Sequence, residues 1–318
     1  MKYSGIGGQA VIEGIMMMKG EDYAVAVRRP DKEIEVKKDT YQSITKKAKI
    51  LQIPFVRGVF RFADSMIIGM RSLSYSASFF EDDEDAEPGK FEQLLDRVFG
   101  EKLESAIMAA VLVISFILAI GIFMLLPLGI ANLFKGVITS DHLMAVLEGV
   151  IRIAIFIIYI KLVSRMEDIR RTFMYHGAEH KCINCVEHGH PLTVKYVRES
   201  SKEHKLCGTS FILIVMVISI LMFMVIRVDT IWMRILSRII LVPVIAGISY
   251  EVLQCAGRSN SKFMDLVSRP GMWMQGLTTK EPDDSMIEVA IAATEAVFDW
   301  REYLTENFPG WEKQLEES

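Results

Sequence analysis

The run SAIMAAVLVISFILAIGIFMLLPLGIANLF, residues 105–134, holds 30 consecutive residues without a charge between Glu104 and Lys135. A helix rises 1.5 Å per residue, so about 20 apolar residues cross the hydrocarbon core of a bilayer. This run exceeds that length and predicts a transmembrane helix. A second uncharged run, Leu206 to Ile226, is 21 residues long and meets the same criterion. Two weaker segments follow the same logic: 143–164, apolar except for Glu148, Arg152 and Lys161, and 231–250, apolar except for Arg234 and Arg238. Charges in such segments face a bundle interior or snorkel to the interface, and amphipathic surface helices are the competing reading. Glu148 and Arg152, with Arg234 and Arg238, are at similar depth and are mutual candidates for pairing. The expectation is a mainly α, polytopic helical membrane protein of about four transmembrane helices. The 51% hydrophobic content of the 318 residues agrees with it.

Lys and Arg near span ends stay cytoplasmic. The connection between spans two and three carries Arg165, Arg170, Arg171, Lys181, Lys195, Arg198, Lys202 and Lys205. This predicts a multi-pass protein of the cell membrane with the central loop and both termini cytoplasmic. Cys182, Cys185, Cys207 and Cys255 then face a reducing compartment, where metal ligation or plain thiols are favoured over disulfides. Met1 to Gly20 lacks a basic start followed by an apolar core, so no signal peptide is expected. The lipid bilayer is the expected partner. A net charge of −4 without a basic, aromatic-interleaved patch excludes nucleic acid.

Around the membrane domain the pattern changes. Residues 1–39 form a small N-terminal β element, with strands expected at Ala10–Ile15, Tyr23–Arg28 and Glu33–Lys37 and a turn at Arg29–Lys32. Gly5, Gly7, Gly8, Gly14 and Gly20 mark bends or close approaches. Residues 40–80 read as an interfacial amphipathic helix with a stripe of Phe55, Val59, Phe62, Met66 and Met70. Residues 81–104 hold an acidic linker (EDDEDAEPG, 81–89) and a short helix. Residues 105–254 are the four-span domain with a His/Cys loop at 165–205. The C-terminal segment, 255–318, is expected to carry an amphipathic helix opened by a capping box at Ser285–Glu288.

Five of the six histidines fall between His176 and His204. Within that window His176-Gly177-Ala178-Glu179-His180 puts two imidazoles at i and i+4, on one helix face and able to share a metal, with Glu179 on the same side. The spacing matches H-x-x-E-H, the inverted zinc metallopeptidase signature, in which the Glu is the base. Cys182, Cys185, Glu187, His204 and Cys207 offer further ligands. The C-x-x-C and H-x-x-C pair also fits a structural Cys₃His zinc knuckle, a scaffold without catalysis. His188 and His190, beside Gly189 and Pro191, read as turn residues. Glu251, at the inner end of span four, is a candidate supplementary ligand or partner to an imidazole N–H.

The stretches YHGAEHKCINCVE (175–187), HKLCGTSF (204–211), GGQAVIEGIMMMKG (7–20) and RPGMWMQGLTTKEPDDSMIEVAIAA (269–293) resemble the bacterial YqhQ-like membrane proteins. That family is called domain of unknown function 1385 and is described as predicted metal-dependent enzymes. The resemblance covers nearly the whole chain. It implies that the family's H-G-A-E-H-K core falls on His176 to Lys181 and its H-x-x-C-G-T-S-F element on His204 to Phe211, with Lys205-Leu206 where Pro-Arg is usual. The functional expectation is a metal-dependent membrane hydrolase in which His176, His180 and His204 bind Zn²⁺ or another divalent transition metal. Glu179 is its catalytic base, and Cys207, Glu187, Glu251, Cys182 and Cys185 are supplementary. The alternative is a non-enzymatic membrane scaffold or assembly factor, acting on a membrane-protein partner, whose metal only holds the loop. A transporter ranks third, because the intramembrane charges are few and suited to pairing.

Overall fold

The computed structural model describes residues 2–80, 103–226, 230–258 and 261–315. The acidic run expected at 81–89 lies outside them, as does the side chain of Arg234. The chain divides into two compact units, Glu81–Tyr159 and a second made of Met1–Phe80 with Ile160–Ser318. Among the described residues four helices are long and apolar enough to cross a membrane: Val113–Asn132, Asp141–Val163, Gly208–Val225 and Ile235–Gly257, with mean hydropathy 1.8 to 2.7. No more than 28% of any of these is buried within the protein, which is what a lipid-covered surface leaves.

In the smaller unit, helix α2 (Leu103–Ile120) runs through a π turn at Gly121–Leu125 into α3 (Leu126–Asn132). Pro127 explains the π turn. It has no N–H to give to the carbonyl four residues back, so the helix widens there instead of breaking. The Phe123 ring meets Phe156 at 6.0 Å and Tyr159 at 5.4 Å, both on α4 (Asp141–Val163). Glu148 on α4 accepts from Arg152 at 2.7 Å, one turn on, so this carboxylate has its countercharge on its own helix.

The larger unit begins with four antiparallel strands in sequence order: β1 (Ile6–Val11), β2 (Gly14–Lys19), β3 (Asp22–Arg28) and β4 (Ile34–Thr40). The strand expected at Ala10–Ile15 is therefore corrected, because that stretch spans the β1–β2 hairpin, with Glu13 at φ 47° in its turn. The Arg29–Lys32 turn stands where expected. Both faces of the sheet are covered. Ile15, Met17 and Ala26 pack on one side against α5 (Glu167–Glu187) and α10 (Asp284–Val297), while Met16, Tyr23, Val25 and Val27 pack on the other with Ile68. Two-sided burial makes β2 and β3 continuous apolar runs without alternation.

Ile68 belongs to α1 (Val56–Ala77), which starts later than the expected residue 40 because Pro54 disfavours helix at Ile53 and two short 3₁₀ turns precede it. Its stripe Phe62, Met66 and Met70 is exposed, at 41–55%, whereas Asp64, Ile68 and Ser72 are buried. Span helices α7 (Gly208–Val225) and α8 (Ile231–Arg258) follow the short α6 (Val194–Glu199), and α9 (Lys262–Thr278) packs back along both. Arg238 on α8 sits over the Phe223 ring of α7 at 5.0 Å. The N-cap of α10 is Asp283, accepting from Met286 N, two residues before the expected Ser285. The helix ends at Val297; Phe298, in the break that follows, and Trp300, the first residue of α11 (Trp300–Asn307), reach the core.

Candidate metal centre

The H-x-x-E-H residues lie in the middle of α5, and their spacing brings the His176 and His180 rings to 4.4 Å between centroids. Cys207, the N-cap of α7, joins them: His176 Nε2 is 3.3 Å from Cys207 Sγ, and one ligand atom from each of His176, His180 and Cys207 lies within 4.8 Å of the others. Among the described residues this is the group of His, Cys and carboxylate side chains so gathered. Two imidazoles and a thiolate around one zinc at bonds of about 2.0–2.3 Å would stand about 3.3–3.6 Å apart at tetrahedral angles, so the donor set fits the ion and the His176–Cys207 separation of 3.3 Å matches it.

The other ring nitrogens decide the tautomers. His176 Nδ1 lies 3.0 Å from the Thr278 carbonyl and His180 Nδ1 2.7 Å from the Lys202 carbonyl. A carbonyl only accepts, so each Nδ1 carries the proton and each Nε2 presents a lone pair. Imidazole ligands of metals are oriented in this way by backbone carbonyls.

Local features of the chain place those carbonyls. A Cβ on Gly177 would meet the Lys280 carbonyl oxygen at 2.0 Å, so only glycine lets the segment after α9 cross α5 closely enough to deliver Thr278. Lys280 N donates to Phe173 O at 2.8 Å and fixes the crossing. On the other side, polar side chains of α5 grip the loop that carries Lys202. Lys181 Nζ donates to the carbonyls of Arg198 and Ser200 at 2.8 and 2.9 Å, and Asn184 Nδ2 to those of Ser201 and Glu203 at 2.7 and 2.9 Å. Gln275 of α9, fully buried, accepts from His204 N and donates to His204 O and Ser210 Oγ, at 2.9, 2.7 and 2.9 Å.

Glu179 is 4% exposed, with Oε2 3.9 Å from His176 Nε2 and 3.7 Å from His180 Nε2. Burial pushes its carboxyl above the usual range; the imidazoles of His176 and His204 and a hydrogen bond from the Gly8 backbone act the other way. Gly8 is needed here, since a Cβ would meet Met16 O at 2.6 Å and Glu179 Cγ at 2.9 Å. Burial lowers His180 from its ordinary value, against the raising effect of Cys207.

His204 is placed elsewhere than at the centre of the ligand group. Its Nε2 lies 3.4 Å from Glu187 Oε2, and the Glu187 Oε1 accepts from Ser4 N and Oγ at 2.9 Å each. Burial would raise the Glu187 carboxyl, but these hydrogen bonds outweigh it and hold the group below its ordinary value. His204 thus buttresses the site at 5.9 Å from the His180 ring and ties the N-terminal segment to α5. Cys182 and Cys185 turn into the apolar core under α10; Cys185 Sγ donates to Pro191 O at 3.3 Å. The arrangement does not gather the four residues of the knuckle. Glu251 pairs with Arg57 at 2.7 and 2.6 Å and joins α1 to α8, away from the His cluster. His188 closes α5, its Nδ1 2.7 Å from Asn184 O, and His190 stacks on Tyr196. Gln275 and the two carbonyls escape sequence reasoning, the carbonyls because backbone groups leave no residue signal and Gln275 because it sits on an otherwise amphipathic helix.

The family described as Protein of unknown function (DUF1385) matches residues 53–300. The uncharacterized protein YqhQ of Bacillus subtilis (strain 168) is 34% identical over 286 residues, 90% of this chain and 89% of that one. No solved structure matches the chain significantly.

Proposed function

The chain belongs to the DUF1385 family, and from that premise we propose that it is a metal-dependent hydrolase of the cell membrane, its zinc centre at the cytoplasmic face. The observation that carries this reading is the pair of Nδ1–carbonyl hydrogen bonds, which leaves a lone pair on each Nε2, with His176 Nε2 3.3 Å from Cys207 Sγ and one ligand atom of each of the three residues within 4.8 Å of the others. A His₂Cys donor set suits zinc, and three protein ligands leave a fourth position for water or substrate, as in catalytic sites. When bound, the ion supplies Lewis acidity that polarises a substrate oxygen and acidifies a water. Glu179 Oε2, beside both imidazoles, takes the proton of the attacking water and returns it to the leaving group. Gly8 of β1 lies against the Glu179 side chain, which is buried from bulk water. The basic residues between spans two and three support the cytoplasmic placement.

A structural role for the metal has one observation in its favour, since the same three ligands tie α5 to the start of α7. Glu179→Gln separates the two readings. It keeps size and hydrogen bonding but removes the base, so the hydrolase retains metal and fold and loses function by several orders of magnitude. The measurement is complementation of a deletion strain, with membrane level and metal content followed in parallel. Full complementation by a normally expressed, metal-loaded variant overturns the enzyme reading in favour of the scaffold.

A further inference from the structure

Below the centre, α7, α8 and α9 enclose a groove of about 300 Å³, at the lower end of the range that ligand pockets occupy, about 300–1,000 Å³. Its walls are apolar, with Leu213 and Val217 from α7, Leu253 from α8 and Val267 from α9; Lys205 and Ser210 stand at one end. That end adjoins the metal centre. Ser210 is i+3 from Cys207 and shares its side of α7, and the Gln275 amide that donates to Ser210 Oγ also donates to the His204 carbonyl. Lys205 pairs with Asp265 at 2.7 Å, the lysine side chain 23% and the aspartate side chain 46% exposed, so the aspartate is open to solvent and can be displaced by a competing anion.

Two observations identify the occupant. The groove lies on two membrane-spanning helices, so its mouth is continuous with their lipid-facing surface. The third wall, α9, buries Ser268, Gly271, Met274 and Gln275 against the bundle while Phe263, Leu266 and Trp273 are 59–67% exposed on the outside. A Cβ on Gly271 would meet Ser210 Oγ at 2.6 Å, so α9 is pressed onto α7 just where the polar end lies. A helix with an outward Phe, Leu and Trp beside Arg269 belongs at the membrane interface.

We propose that this groove seats one membrane phospholipid, its acyl chain between α7, α8 and α9 and its anionic headgroup at Lys205 and Ser210, beside the His176–His180–Cys207 centre. The substrate class is then a lipid presented from the cytoplasmic leaflet; this assignment rests on the hydrolase reading, whereas lipid occupancy of the groove does not.

The full-length protein in nanodiscs, with trace phosphatidylglycerol carrying a diazirine in its acyl chain, tests the proposal. After irradiation, peptide mass spectrometry is expected to find the label about tenfold enriched at groove positions over outward positions such as Leu221 and Leu236, which corresponds to about 1.4 kcal/mol of preference. Ile214→Trp or Val267→Trp, both at positions that line the groove, narrows it, removes that enrichment and leaves labelling at Leu221 unchanged. Uniform labelling of the unsubstituted protein overturns the proposal, and so does enrichment that survives both tryptophans. Metal content of the same samples keeps the two readings apart. Groove labelling retained in metal-free His176→Ala/His180→Ala protein supports the lipid site irrespective of the centre, and metal retained without groove enrichment refutes the lipid site alone.

Discussion

Replacing Gly177 by alanine probes the crossing that aims His176. The new Cβ would lie 2.0 Å from the Lys280 carbonyl oxygen, a backbone atom, where real contacts need more than 3.0 Å. The segment must therefore move off α5 by an ångström or more. That movement strains or breaks the bonds Lys280 N to Phe173 O and His176 Nδ1 to Thr278 O, 2.8 and 3.0 Å long. Each such bond contributes about 0.5–1.5 kcal/mol net, and overpacking costs about 1–3 kcal/mol. Alanine offsets about 1 kcal/mol through its helix propensity. The balance is a destabilisation of about 1–5 kcal/mol. Loss of the carbonyl behind His176 also lowers metal affinity by about 10–100-fold. Denaturant unfolding in detergent and competitive metal titration read the two effects. A variant that is more stable than the parent, with metal affinity unchanged, would show that only helix propensity matters at this position and that the crossing does not aim His176.

Gln275→Leu leaves both His204 backbone groups and Ser210 without this partner and is expected to cost about 2–4 kcal/mol in unfolding free energy; an unchanged midpoint would contradict the clamp. Burial pushes the Cys185 thiol from 9.0 to about 12, so between those values the unfolded chain holds fewer protons than the folded one. Stability is then expected to fall as pH rises through that window, by about 1.4 kcal/mol per pH unit, and Cys185→Ala to flatten that slope in a pH series of unfolding curves. For topology, a cysteine introduced at the exposed Glu199 is expected to react only in inverted vesicles and one at Val137, 84% exposed, from outside intact cells. The reverse pattern overturns the cytoplasmic placement.

The four spans and the shared face of His176 and His180 are legible because each rests on one local quantity, a run length or a spacing of four. The choice between His204 and Cys207 is not. They stand three positions apart in one H-x-x-C element, and what separates them is tertiary: Glu187 takes the His204 ring while Cys207, the N-cap of α7, meets His176. Strand limits fail for a related reason, since Met16 and Met17 are buried on opposite faces and no alternation marks β2. The stripe Phe62, Met66 and Met70 is correctly helical, yet it is the outward face of α1, because Asp64 turns inward to bond Tyr41, Ser43 and the Ile44 N–H. Glu251 has the depth expected of a ligand and faces Arg57 instead. Gly177, costly in an isolated helix, becomes intelligible only with the Lys280 carbonyl above it.

On the proposed function, His176, His180 and Cys207 together hold one metal ion. Zinc analysis of the purified protein, with single variants loaded and washed under identical conditions, tests it most directly. The expected result is about one zinc per chain in the parent, lost in His176→Ala, His180→Ala and Cys207→Ser, and retained in His204→Gln and Glu251→Gln. Zinc retained by Cys207→Ser but lost from a folded His204→Gln protein, or a parent that takes up no metal, would contradict it.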